Sequence, residues 1–318
     1  MERPMSNPER KTRKRSLWFY LVKDKSLILM LLPGCLYLLV NNYIPMAGTV
    51  IAFKSINYAK GIFGSDWVGF ENFKFLFASS DAWIITRNTL AYNAVFIVLH
   101  LVVAVLFAVM LNELRNRMLA KIHQSIMFLP FFLSFVVVGY LGYSLLHEEY
   151  GFINRSILEP LGIEPVSWYS EPKYWPFILP LVNTWKSIGY YTVIYLAAIV
   201  GIDQEYYEAA VIDGAGKWQQ VRSITLPLLA PVMVILTLLQ IGKIFYADFG
   251  LFFQVPLNSG ILYPTTNVID TYVYRALLTM GDIGMSSAAG LYQSAVGFVL
   301  VLGANLIVRR INKDNALF

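Results

Sequence analysis

Residues 27–53 read LILMLLPGCLYLLVNNYIPMAGTVIAF, without one charged side chain. A bilayer core takes about 20 helical residues to cross. Lipid offers no partner for backbone N–H and C=O groups, so a long apolar run there must be helical. Comparable runs fall at 87–112, 122–147, 175–201, 228–252 and 285–309, which predicts six spans. The chain is 57% hydrophobic and 14% charged, against about one quarter charged in soluble domains. These features exclude a soluble fold and predict an all-α integral membrane protein. The first run is too long for the core of a secretory signal and is expected to be a retained span. Its Cys35 is the chain's single cysteine, so no disulfide can form within the chain.

Positive charge sets the expected orientation. Arg10, Lys11, Arg13, Lys14, Arg15, Lys23 and Lys25 precede the first span. Arg115, Arg117 and Lys121 follow the second, and Arg309, Arg310 and Lys313 close the chain. The segment after the third span instead carries Glu148, Glu149, Glu159, Glu164 and Glu171 against Arg155 and Lys173. The positive-inside rule then puts both termini and the short basic loop in the cytoplasm. Residues 1–25 and 313–318 become cytoplasmic tails around a membrane domain at 26–312 in the cell membrane. A basic tail ahead of an apolar helix reads as an anchor against anionic lipid rather than a nucleic-acid contact. The outer segments hold Trp67, Trp83, Trp168, Tyr169, Tyr174 and Trp175, some of which are expected to be interfacial anchors.

Between the fourth and fifth spans lies a polar stretch, EAAVIDGAGKWQQVRSITLPLLAP, on the cytoplasmic face of this scheme. Asp203 can cap a helix over QEYYEAAVI, with Glu205 and Glu208 in its early turns where the helix dipole favours negative charge. Gly214 can take the left-handed conformation that ends a helix. A second short helix, KWQQVRSI, is expected to stop at Pro227. The residues alone allow two readings of this pair, a dock for a cytoplasmic partner or a surface helix resting on lipid headgroups. Its mixed faces are poor in Lys and Arg, which favours the dock.

The same stretch resembles the EAA loop of permease subunits of binding-protein-dependent ABC importers, through Glu208, Ala209, Ala210, Asp213, Gly214, Ala215, Ile224, Leu226 and Pro227. WKSIGYYTVIYLAAIVGID before it and PTTNVIDTYVYRALLTMGDIGMSSAAGLYQS after it are similar to the oligosaccharide and polysaccharide branch of that family. The chain departs from the pattern at Asp203 and Gln204, where the family often has a proline, and at Val221, where an aromatic is common. The resemblance implies a six-helix bundle of the type I importer kind, with residues 203–227 as the element that couples to the ATPase. It also implies the partners. These are a second, homologous permease chain, two cytosolic ABC ATPase subunits that bind the ATP and magnesium, and an extracytoplasmic sugar-binding protein. The solute is expected to be an oligosaccharide.

Other signals point away from chemistry in this chain. GAGK at 214–217 lacks the first glycine and the Ser/Thr of a phosphate loop, which Val211 and Trp218 replace. His100, His123 and His147 show no metal spacing, so no metal, cofactor or catalytic residue is expected. An ion-coupled transporter would carry inverted repeats and broken helices, which the sequence does not display. A permease for a non-sugar solute remains the other alternative. A sugar path needs amide and ammonium groups for hydroxyls, and aromatic faces for the C–H side of the ring. Asn183, Trp185, Lys186, Tyr190, Tyr191, Gln240 and Tyr246 supply both. Polar groups inside spans can equally bond helix to helix, the expected role of Asn41, Asn42 and Asn305. Lys243 and Asp248, five apart, can pair or bond elsewhere.

Overall fold

The structure, a computed structural model, describes residues 23–74 and 80–311. The basic residues Arg10 to Arg15 and the tail 313–318 lie outside them. Two units are distinguished, Met1–Val50 and Ile51–Phe318. The first holds α1 (Lys25–Leu38) and a widened turn over Leu39–Tyr43, and the apolar helical stretch runs Lys25–Phe53. Asn41 turns its amide back onto the Tyr37 carbonyl.

The second unit opens with a two-residue antiparallel ladder between β1 (Lys54–Ser55) and β2 (Asp66–Trp67). Lys54 is buried there and donates to the carbonyls of Ile62 and Phe63. The helices follow: α2 (Ser80–Glu113), α3 (Arg117–Phe128), α4 (Phe135–Leu146), α5 (Trp175–Val200), α6 (Gln204–Ile212), α7 (Lys217–Ile241), α8 (Phe249–Gln254), α9 (Ile269–Arg275) and α10 (Ile283–Ile311). Four of the described helical stretches can cross a membrane by themselves, and six spans result if each bent pair counts as one. Helices α2 and α5 pack along their length. Ala104, Val105 and Ala108 meet Ile188, Tyr195 and Ile199, with Leu229 of α7 closing the cluster. A second cluster joins Tyr92 and Phe96 of α2 to Trp175 and Leu179 of α5 and to Leu251, Phe252 and Val255.

Three expectations need correction. The run 122–147 is not one straight span, because α3, continued by a tighter turn over Leu129–Phe132, meets α4 at 100° across Leu133 and Ser134. Pro130 has no N–H to continue the helix, and the Ser134 side chain accepts from the Val137 N–H to start the next one. The run 228–252 breaks as well, since α7 ends at Ile241 and a non-helical turn leads to α8. Finally, Pro227 does not stop the helix that starts at Lys217. A widened turn over Val221–Thr225 lets the Leu226 N–H bond to the Val221 carbonyl, five residues back. Pro227 then falls at the start of the next regular turns, where its missing N–H is tolerated.

Candidate functional site

The polar loop is a built element. Asp203 caps α6 by accepting from the Glu205 N–H at 3.0 Å. At the other end Gly214 sits at φ +78°. Around it the Gly214 N–H bonds to the Val211 carbonyl at 3.0 Å and the Ala215 N–H to the Ala210 carbonyl at 2.8 Å. This pair of bonds is the Schellman closure of a helix C-terminus. Gln219 then accepts from the Gly216 N–H at 2.7 Å and starts α7. The Tyr207 hydroxyl meets that of Thr225 at 2.9 Å, and Gln220 donates to the Ala215 carbonyl at 3.1 Å, so the two helices are held at a fixed angle.

The surface this presents is apolar where it is most exposed, with Ile212 86% and Trp218 72% accessible. Glu208, Ala209, Asp213 and Pro227 are also exposed. Ala210, Asp213, Gly214, Ala215 and Ile224 line a shallow hollow of 390 Å³, and Leu226 is half-buried behind it. Lys217 pairs with Glu113, at the end of α2, at 3.1 Å.

Helix α5 precedes this loop across a 68° bend at residues 201–203, and its middle walls a cavity of 550 Å³. Asn183, Ser187, Tyr190 and Tyr191 of α5 line it, at i, i+4, i+7 and i+8. From α2 come Asn93, Phe96, Ile97 and His100, again one helical face. Gln240, Lys243, Tyr246 and Asp248 come from the end of α7 and the turn after it. His100 lies between the carboxamides of Gln240 and Asn183, each at 2.9 Å, and stacks on Tyr191 at 4.4 Å. Asn93 donates to the carbonyls of Ile244 and Tyr246, so the broken fifth span is pinned to α2. Behind the same turn Asp270 accepts from the Ala247 N–H and from Gln293. Burial pushes its carboxyl above the usual carboxylate range, and those two hydrogen bonds act the other way. This irregular turn lines the cavity.

Five of the seven residues expected on the path therefore line the cavity, namely Asn183, Tyr190, Tyr191, Gln240 and Tyr246. Trp185 and Lys186 do not. Trp185 is two positions past Asn183, about 200° round the helix, and 44% accessible. Lys186 is buried and donates to the Phe131 carbonyl at 2.9 Å, with the rings of Phe131 and Phe135 at 5.6 and 4.8 Å. It braces the break between α3 and α4. Lys243 and Asp248 both face the cavity without forming an ion pair. The contribution of α2 was missing from the sequence reading. Asn93 and His100, one helical face apart by seven residues in an otherwise apolar run, were its signal.

Residues 100–313 match the family described as the inner membrane component of binding-protein-dependent transport systems. The polygalacturonan/rhamnogalacturonan transport system permease protein YteP of Bacillus subtilis (strain 168) is 35% identical over 96% of this chain and 94% of its own length. A solved bacterial ABC transporter chain, from an importer of the acidic polysaccharide alginate, superimposes with a TM-score of 0.85 at 33% identity, over 93% of this chain and 99% of that one. A second structure of the alginate transporter, in complex with alginate pentasaccharide-bound periplasmic protein, gives a TM-score of 0.85 at 32% identity over 94% and 99% of the two chains.

Proposed function

The chain belongs to the family of inner membrane components of binding-protein-dependent transport systems, and from that premise we propose how it works as the permease subunit of an ATP-driven carbohydrate importer. Helices α2, α5 and α7 wall the path of an oligosaccharide. Aromatic faces of Tyr190, Tyr191 and Tyr246 take the C–H side of the sugar rings, and the amides of Asn183 and Gln240, ordered by His100, take hydroxyls. A cavity of 550 Å³ is within the size range of small-molecule sites, about 300–1,000 Å³. The solutes in the names of the relatives, polygalacturonan and alginate, support a saccharide.

The observation that carries the reading is the short link between α5 and the polar loop. The middle of α5 holds the cavity face, α5 ends at Val200, and three residues later α6, turned by 68°, carries the chain to the exposed turn at Gly214. A cytosolic ATPase seated on α6 and the start of α7 would thus move a wall of the path directly, through a two-state element biased by nucleotide. ATP is hydrolysed on that partner, and this chain contributes no catalytic group. A second permease chain completes the path and an extracytoplasmic binding protein delivers the sugar. The latter is supported by the alginate transporter, solved with its periplasmic protein. Both termini face the cytoplasm and the Glu-rich segment 148–174 faces outward, a reading supported by the basic residues at 115–121 and 309–313.

Two experiments test this. In proteoliposomes holding the assembled complex, ATP should drive uptake of a labelled oligosaccharide only when the binding protein is present. Uptake driven by an ion gradient without ATP would sink the reading. A cysteine at Glu164 in a Cys35→Ser background should react with an impermeant reagent in intact cells, and reaction only after lysis would invert the orientation.

A further inference from the structure

Lys243 stands apart from every other basic group near the cavity. It lies just past the end of α7, on the turn that breaks the fifth span, and it is the one cation among the described lining residues. Its backbone is fixed, with the N–H on the Gln240 carbonyl at 2.9 Å and the C=O accepting from Tyr246 at 2.8 Å. Its ammonium has no hydrogen-bond or ion-pair partner among the described residues. The nearby acids are otherwise engaged. Asp248 caps α8 by accepting from the Leu251 N–H at 3.2 Å, and Asp270 is held by Ala247 and Gln293. Lys186, by contrast, is buried against a carbonyl and two aromatic rings.

A positive charge just past the end of an apolar helix long enough to cross a membrane is costly unless water or a partner answers it. Here it is exposed toward a cavity that also offers tyrosine faces and amides. An ammonium of this kind answers a carboxylate, through a charge-assisted hydrogen bond. We infer that Lys243 is the specificity-determining residue of the path, selecting oligosaccharides whose sugar units carry carboxylates over neutral ones. The inference rests on the carbohydrate reading above. Because Lys243 has a flexible stem and a point charge, it can release one carboxylate and take the next as the chain advances, which suits transit better than a rigid bidentate clamp.

The test leaves out the binding protein, whose own selectivity would mask the effect. The assembled complex in nanodiscs is titrated calorimetrically with trigalacturonate and with its fully methyl-esterified counterpart, which keeps the skeleton and removes the charge. The wild-type complex should prefer the acid by about tenfold to a hundredfold, and less so in high salt. Lys243→Gln should bring the acid down to the affinity of the ester, while Lys243→Arg should keep most of the preference. A Lys243→Gln complex that retains the wild-type ratio overturns the inference. So does a Lys243→Gln chain that cannot assemble where Lys243→Arg can, since the ammonium would then be answered by a neighbouring subunit. A wild-type complex that binds acid and ester equally removes Lys243 as a selector and leaves the carbohydrate path standing. One that binds neither removes the carbohydrate path itself.

Discussion

Replacing Gly214 separates what a backbone conformation contributes from what an empty space contributes. The residue sits at φ +78°, and a Cβ built on it would meet nothing within 4 Å. Any penalty within the isolated chain is therefore conformational, roughly 1–2 kcal/mol for an ordinary side chain held left-handed. If the turn relaxes instead, the Schellman bonds from Gly214 and Ala215 are lost and the angle between α6 and α7 changes. If it relaxes, docking must restore the turn against that penalty, which weakens ATPase binding by up to about 5- to 30-fold. Asparagine enters the left-handed region far more readily than most residues, and a β-branched side chain least readily. The expected order of damage is Gly214→Asn, then Gly214→Ala, then Gly214→Val, measured as ATPase affinity for the permease in nanodiscs and as substrate-stimulated ATP hydrolysis. Gly214→Asn as damaging as Gly214→Val would mean the partner needs the space and not the φ angle. Full coupling in Gly214→Val would refute the role of the turn altogether. Lys217→Ala is the control. Its pair with Glu113 is exposed at 74% and 37%, and such pairs are worth about 0–1 kcal/mol, so coupling should barely change.

Further outcomes follow from the packing. Lys186→Met removes the donor to the Phe131 carbonyl and should cost about 1.5–3 kcal/mol, read as a lower unfolding midpoint of the purified complex, whereas Trp185→Ala, off the cavity face, should leave uptake near wild type. Gly189→Ala places a Cβ 2.1 Å from the Met127 carbonyl oxygen. The backbone of α3 must then shift, at about 1–3 kcal/mol, with loss of complex yield as the measurement and normal yield as the contrary result. His100→Phe keeps the stack on Tyr191 but deprives Gln240 and Asn183 of their shared partner, so substrate affinity should fall at least fivefold with assembly intact. Unchanged affinity would reduce His100 to packing.

The parts legible in the sequence are those written in local signals. Long apolar runs announced helices, Asp203 announced a cap, and Gly214 announced a left-handed turn, all as found. The breaks were not legible for a physical reason. LPFFLS at 129–134 is as apolar as a span, and only Pro130 hinted that two helices meet there at 100°. The break after Ile241 is held by Asn93 of α2, which is about 150 positions away in the chain. Pro227 misled in the other direction, because the widened turn over Val221–Thr225 that accommodates it depends on packing of buried Val221 and Thr225. On α5, only helical phase separates Asn183, Tyr190 and Tyr191, which face the cavity, from Trp185 and Lys186.

The central claim is that residues 203–227 seat a cytosolic ATPase. Ile212, 86% accessible at the tip of α6, is the position from which to ask. A photo-crosslinking amino acid placed there, in the assembled complex in its native membrane, should yield one dominant adduct with the ATPase subunit, and that adduct should vary in yield between nucleotide-free and ATP-trapped states. Adducts with lipid alone, in a complex that still transports, would contradict the account.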